Sequence, residues 1–254
     1  MIKKERLFLL EETVKKNFSA KYKDSFLGIL WSVLKPLLIM ILLTIIFSTL
    51  FGNRVENYPV YFLSGKCIYD FFTTATNLSM NSMKSNQNIL KTTSAPKYIF
   101  VVGSVLSEFI NFIITLIILI LVMIITKATF YFTIIPLSVI PIISLLMITT
   151  GISLIISIFR VYYTDVEHLW SVVTLMIMYA SAIFYPMDII PEPFYDYVIL
   201  NPLYWIIDQF RSFAIYGTIP DTLYLINSLL LSAIILVFGI IIFKKYEKRI
   251  TMNF

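Results

Sequence analysis

Residues 99–126 read IFVVGSVLSEFINFIITLIILILVMIIT, a run with one charge, Glu108. A helix that crosses the hydrocarbon core of a bilayer needs roughly 20 mostly apolar residues, and this run is longer than that. The rest of the chain keeps the same character. Of 254 residues, 59% are hydrophobic and 14% are charged, and mean hydropathy is +0.86. Soluble domains carry about 25% charged residues, so a soluble enzyme, a disordered tail and a secreted disulfide scaffold are all excluded. The fold class is all-α integral membrane.

Working outward from this run, the hydropathy pattern predicts five more spans. They cover about Ile29–Phe51, Tyr58–Met83, Thr129–Phe159, Leu169–Pro186 and Leu223–Phe243. Pro136 and Pro141 break the fourth apolar stretch, which is longer than a bilayer needs, so a kinked or interfacial outer end is expected there. Ahead of the first span, Leu7, Leu10, Val14, Phe18 and Tyr22 recur at helical spacing among seven lysines and arginines. That pattern predicts an amphipathic helix over residues 1–28, lying in the membrane interface; a solvated helix packed on the bundle is the alternative. Residues 29–254 then form a six-span transmembrane domain. Leu7–Leu10 is too short for a cleavable signal, and Glu11 and Glu12 follow it at once.

Lysine and arginine counts orient the chain. With the N-terminus inside, 16 of the 20 fall on inner segments and three, Arg54, Lys127 and Arg211, on outer ones. Lys66 is the remaining one and is intramembrane. Both termini are therefore expected in the cytoplasm, in a multi-pass protein of the cytoplasmic membrane. The net charge of +5 follows from this orientation signal, and no nucleic-acid partner is expected.

Two connections have their own pattern. Residues 85–97, Asn/Ser/Thr-rich and ending in Ala95-Pro96, have room for a brief helix along the membrane. Residues 187–217 hold two aromatic-rich pieces, and Asn201-Pro202 is a cap-then-proline helix start. Their apolar character predicts a short re-entrant outer hairpin before the last span.

No catalytic constellation emerges. Cys67 is the single cysteine and His168 the single histidine, which excludes an intrachain disulfide, a Cys-rich metal site and any two-His zinc motif. Gly65-Lys66 resembles the end of a phosphate-binding loop, but Cys67 and Val60 stand where Ser/Thr and Gly are required. Asp165, Glu167 and His168 could form an acid/base pair or simply belong to a solvated loop anchored by Trp170. The chain is read as non-catalytic, binding no cofactor or metal.

Intramembrane ionisable residues usually face a bundle interior or a watered cavity. Lys66 and Asp70, four apart on one face of the second span, either line a path for a polar or anionic substrate or form a local pair snorkelling outward. Glu108 faces the same cavity or makes a structural contact with Asn111. Tyr69, Phe72, Tyr179, Phe184 and Tyr185, with Phe71, gather toward the outer halves of spans two and five. Aromatic faces there suit a conduit for sugar rings, or an interfacial belt with helix packing.

The run from Tyr22 through Gly28, Trp31 and Ser32 to Lys35-Pro36-Leu37 resembles the N-terminal signature of the ABC-2 type permeases that export polysaccharides such as O-antigen, capsule and teichoic acid. Tyr58–Gly65, Ser85-Asn86 to Pro96, Val105–Ser107, Phe159-Arg160 to Asp165, and Leu200-Asn201-Pro202 to Arg211 match as well. The resemblance implies a homodimer working with two copies of a separate ATP-hydrolysing subunit, which would hold the ATP and magnesium. Asn86, Asn88, Ile89, Leu90, Lys91, Ala95 and Pro96 would then couple to that subunit. Tyr69, Asp70, Phe72, Lys66, Glu108, Tyr179, Phe184 and Tyr185 would line the substrate path. Pro191, Asn201, Pro202 and Arg211 would form the outer gate.

Lys66 departs from the family pattern, where an apolar residue follows this glycine, and marks a charged path or an anionic linker on the cargo. The expected function is the permease subunit of an ATP-driven exporter of a lipid-linked polysaccharide or teichoic-acid-type polymer, among membrane lipids. Export of a drug or lipid, and a membrane-embedded lipid-glycan transferase, are the alternatives.

Overall fold

A computed structural model describes residues 3–23, 28, 30–51, 55–92 and 95–250, with no side-chain surroundings for 3, 48–51 and 248–250. The parts of the signature at 24–27 and 29, Arg54 (expected on the outer side), and the side chains of Lys3, Lys248 and Arg249 lie outside the described residues.

The described residues form helices joined by turns and contain no strand. α1 is Lys3–Tyr22, α2 Leu30–Phe51, α3 Tyr58–Ser85, α4 Gln87–Thr92 and α5 Tyr98–Ile125. A 3₁₀ turn, Ile135–Ser138, leads into α6, Val139–Tyr162. α7 is Val166–Tyr179, α8 Glu192–Ile199 and α9 Pro202–Arg211. A π turn, Ser212–Tyr216, follows α9, and α10 is Thr222–Ile250.

By length and composition, four segments among the described residues can cross a membrane: Leu30–Phe47, Tyr98–Ile125, Ile135–Tyr162 and Thr222–Glu247. α3 has the length, 28 residues, but carries Lys66, Asp70, Asn77 and Asn81. It tolerates polar groups because most of it is buried against protein rather than lipid. α7 has 14 residues, which rise about 21 Å and fall short of a hydrocarbon core of roughly 30 Å. The expected fifth span, Leu169–Pro186, is therefore helical only as far as Tyr179. The outer end of the fourth is a 3₁₀ turn containing Pro136, and Pro141 sits in the first turn of α6, where its missing N–H costs nothing.

α3 is the hub, with α5, α6, α9, α2 and α7 packed around it. Its buried face includes Val60, Phe62, Ile68, Phe71 and Phe72, which join Val105, Phe112, Leu145 and Ile206 in the main core. Around Met83, Leu90, Phe100 and Phe243 a second cluster closes the end of the bundle that carries α4. α6 and α10 approach most closely where two glycines meet. A Cβ at Gly239 would stand 2.4 Å from the Gly151 carbonyl oxygen. Small residues at such a seam let two backbones touch, the usual basis of helix association in lipid.

α1 docks along α5, but not mainly by the apolar stripe. Leu7 is exposed, and Leu10, Val14, Phe18 and Tyr22 are half-buried. The closest contacts come from Thr13, Asn17 and Lys21, also spaced by four. Thr13 fits against Gly103, Asn17 Nδ2 donates to Ser104 Oγ at 3.2 Å, and Lys21 reaches Glu108. α5 presents small and polar groups at this seam, so polar partners fill it.

Candidate functional site

Lys66, Asp70 and Glu108 come together. They line one cavity of about 330 Å³ between the C-terminal end of α1, the start of α2, α3 and α5. Lys66 forms an ion pair with Asp70 one helical turn on. Glu108, buried on α5, receives Lys21 Nζ at 2.8 Å and Asn111 Nδ2 at 3.1 Å. Tyr22 donates its hydroxyl to Asn111 Oδ1 at 2.6 Å. Glu108 thus anchors α1 and also walls the cavity. Lys35 and Trp31, one turn apart on α2, form its far side.

Of the aromatic residues expected beside these charges, only Tyr69 is near them, its ring centroid 5.4 Å from Lys66 Nζ; the others lie elsewhere. Tyr69 and Phe72 are buried between α3 and α7: the Tyr69 hydroxyl donates to the Thr174 carbonyl at 3.0 Å, and the Phe72 ring lies 6.1 Å from that of Trp170. Tyr179 is exposed at the end of α7. Phe184 packs between Tyr179 and Phe62, with centroids 6.0 and 5.8 Å away. The Tyr185 hydroxyl donates to the Tyr179 carbonyl.

Residues 180–185 turn the chain where α7 stops. Ala182 is in the left-handed region, φ 47°, and the carbonyls of this turn have no helical partners. Side chains take their place. The hydroxyl of Tyr58 donates to Phe184 O at 3.0 Å. Tyr61 donates to Ala182 O at 3.0 Å and Tyr185 O at 2.8 Å. Arg211 donates from Nη1 to Ala182 O at 2.9 Å and from Nη2 to Tyr61 O at 3.0 Å, while its Nε reaches Ser64 Oγ at 3.2 Å. Asn201 caps α9 by accepting from Leu203 N at 3.0 Å and donates to Ala180 O at 3.0 Å. Buried irregular backbone needs such internal partners.

Arg211 and Asn201 therefore fasten the turn after α7 to α3 and α9, whereas Pro191 precedes the exposed α8 and Pro202 opens α9. Tyr58, Tyr61 and Ser64 complete this cage and were not among the expected site residues. Their signal was present in the Tyr58–Gly65 motif, but a local motif does not reveal a partner 150 positions away.

At the opposite end, α4 divides by exposure. Leu90 and Asn86 are buried, and Asn88, Ile89 and Lys91 are exposed; Ala95 and Pro96 are half-buried. Lys16 of α1 donates to Asn86 Oδ1 at 2.8 Å, so α1 touches both this connection and the cavity. Burial holds the Lys97 ammonium below its ordinary range, against the opposing pull of Glu247, whose backbone carbonyl it contacts. Glu167 pairs with Arg160 at 2.7 Å, which removes it from an acid/base role with His168. No cluster able to hold a metal ion occurs among the described residues.

A helical bundle with four apolar segments of membrane-spanning length around a charged cavity is the architecture of a membrane-embedded protein. The chain is a member of the ABC-2 type transporter family, which its residues 10–215 match. It is similar to an O-antigen export system permease protein, RfbA, of Klebsiella pneumoniae, at 29% identity over 95% of this chain and 93% of that protein. A Myxococcus xanthus protein described as RfbA is 22% identical over 84% of this chain and 82% of its own length. The polysialic acid transport protein KpsM of Escherichia coli is 22% identical over 87% of each chain.

Proposed function

We propose that this chain is the permease subunit of an ATP-driven exporter that moves a polysaccharide, lipid-linked at one end, across the cytoplasmic membrane. The observation that carries the reading is the similarity, in order along nearly the whole chain, to permeases described for O-antigen and polysialic acid transport. Two copies would pair with two copies of a cytoplasmic ATPase that holds the ATP and magnesium. α3 and α7, with its following turn, complete six crossings, both termini lie in the cytoplasm, and α8 and α9 form the re-entrant outer hairpin.

Mechanism follows from where the groups stand. ATP-driven closure of the partner would press on the exposed face of α4, Asn88, Ile89 and Lys91. Leu90 roots that face in the second core cluster, so a push on α4 moves α3, α5 and α6 together rather than the connection alone. Asn86 passes the same movement to α1 through Lys16. The cargo path would run between the two copies, past the exposed Tyr179 and the Phe184–Tyr185 turn, with Tyr69 and Phe72 holding α7 from behind. Lys66, Asp70 and Glu108 would give the protomer a charged flank bordering that path, and Pro191 and Pro202 would supply the bends of the outer gate.

The test is co-purification of the tagged permease with its cognate ATPase. Two copies of each, with ATP hydrolysis stimulated by lipid-linked glycan, support the reading. A permease that purifies alone and leaves the ATPase rate unchanged contradicts it.

A further inference from the structure

The charged cavity has features that cargo passage does not require. Three ammonium groups, Lys21, Lys35 and Lys66, border it, against two carboxylates, Asp70 and Glu108. Lys21 is committed to Glu108 and Lys66 to Asp70. Lys35 makes no ion pair among the described residues, so the described lining of the cavity has one cation in excess. Asp70 and Glu108 lie well inside their helices; Glu108 is ten residues past the start of α5, about 15 Å along its axis. An unbalanced positive charge beside such a cavity favours an anion.

The mouth of the cavity has a second feature. Trp31 and Lys35 begin a stripe on α2 that continues through Leu38, Leu42 and Ile45, at helical spacings of three and four. All five residues are exposed. An anion held at Lys35 would have an apolar track running from it along the helix, and Trp31 beside it is a residue that favours the headgroup level. Head chemistry at one end and apolar chemistry along the other describe an amphiphile.

We propose that this cavity is a binding site for the phosphate of an anionic phospholipid resident in the membrane, with Lys35 and Lys66 as its phosphate contacts and an acyl chain lying along Leu38, Leu42 and Ile45. The site is built within one protomer. It rests on the membrane placement of the chain and not on the identity of the exported cargo. Because α1 closes one wall through Lys21 and Glu108, a bound headgroup would also brace the interface helix against α5.

The experiment uses the permease–ATPase complex in detergent with chain-brominated phospholipids, reading the quenching lost on Trp31→Phe as the Trp31 signal. Brominated phosphatidylglycerol should quench this signal at about tenfold lower mole fraction than brominated phosphatidylcholine, the size of one charge-assisted contact. Lys35→Gln with Lys66→Gln should erase the preference, and Lys35→Arg with Lys66→Arg should retain it. Should the double Gln variant fail to fold, Lys35→Gln alone, which breaks no ion pair, should still reduce the preference by about threefold. Equal quenching by the two lipids, or a preference that survives loss of both lysines, overturns the proposal. Displacement by millimolar inorganic phosphate would mark a free-anion site, and displacement by polyprenyl diphosphate below the phosphatidylglycerol requirement would mark a cargo-anchor site. Either result overturns assignment to a resident phospholipid.

Discussion

The guanidinium carbon of Arg211 lies 3.5 Å from the centroid of the Tyr61 ring, and the same guanidinium donates to the Tyr61 backbone carbonyl. Arg211 has 3% of its surface exposed. Gly65 makes room for it: a Cβ there would stand 2.8 Å from Nη2. A buried cation is costly unless hydrogen-bonded, and here the π face of Tyr61 and carbonyls from two segments supply the partners. In return Arg211 and Tyr61 hold together α3, α9 and the turn after α7.

Arg211→Ala should lower stability by about 3 kcal/mol, because several buried acceptors lose their donor at once. Arg211→Lys should recover little of it, since an ammonium cannot reproduce the planar fork or lie flat on the ring. Thermal unfolding in detergent micelles measures both. A wild-type midpoint for Arg211→Ala would show that the cage does not hold α3, α9 and the turn after α7 together.

The α6–α10 seam should be intolerant of a single methyl group. A Cβ at Gly151 would stand 2.6 Å from the Ile235 carbonyl oxygen and 2.8 Å from Leu236 Cα, backbone atoms that cannot rotate away. Gly151→Ala should cost about 2 kcal/mol, as overpacking does. Gly103→Ala should cost less, because its neighbour at 2.7 Å is the Thr13 side chain, which can move. The ratio of folded to aggregated protein after heating compares the two.

Docking of α1 can be read by cross-linking. A Cβ at Gly103 would lie 3.1 Å from that of Thr13, just under the separation of about 3.5–4.5 Å usual in a disulfide. In a Cys67→Ala background, Thr13→Cys with Gly103→Cys should form an intrachain disulfide under mild oxidation, seen as faster migration on a non-reducing gel. Thr13→Cys with Ile125→Cys, about 33 Å further along α5, should not. Failure of the first pair would place α1 elsewhere.

Much of the fold was legible where the hydropathy pattern is strong. The run at 99–126 emerges as α5, Tyr98–Ile125, and the span predicted from Tyr58 is α3, Tyr58–Ser85. Asn201 caps α9 as the Asn-Pro pair predicts. α7 was misjudged because an apolar stretch does not show that the helix stops at Tyr179; what stops it is a turn held by Tyr58, Tyr61 and Arg211, all distant in sequence. For the same reason the aromatic group split. Tyr69 and Phe72 have the composition of a conduit, but α7 covers them. The charges fared better, since Lys66 and Asp70 share a helix face by spacing alone, whereas the addition of Lys21 and Lys35 required the tertiary arrangement.

Exposure on α4 should separate the proposed coupling role from folding. Ile89→Asp, on the exposed face, should leave the fold intact and reduce partner-stimulated ATP hydrolysis at least about tenfold, the loss of one well-placed contact. Leu90→Ala should instead destabilise the protein by about 2–3 kcal/mol through a cavity in the second cluster. Stability and ATPase assays on both variants distinguish the two effects. Normal stimulation in Ile89→Asp would mean that α4 is not the coupling element.

Export itself is the most direct measurement. Cells lacking this chain but retaining its ATPase and the glycan-synthesis machinery should accumulate the polymer in the cytoplasm. Restoring the chain should move the polymer to the outside of the cytoplasmic membrane, and an ATPase variant unable to hydrolyse ATP should block that movement. Polymer that reaches the outside equally well without this chain would contradict its role as the export permease.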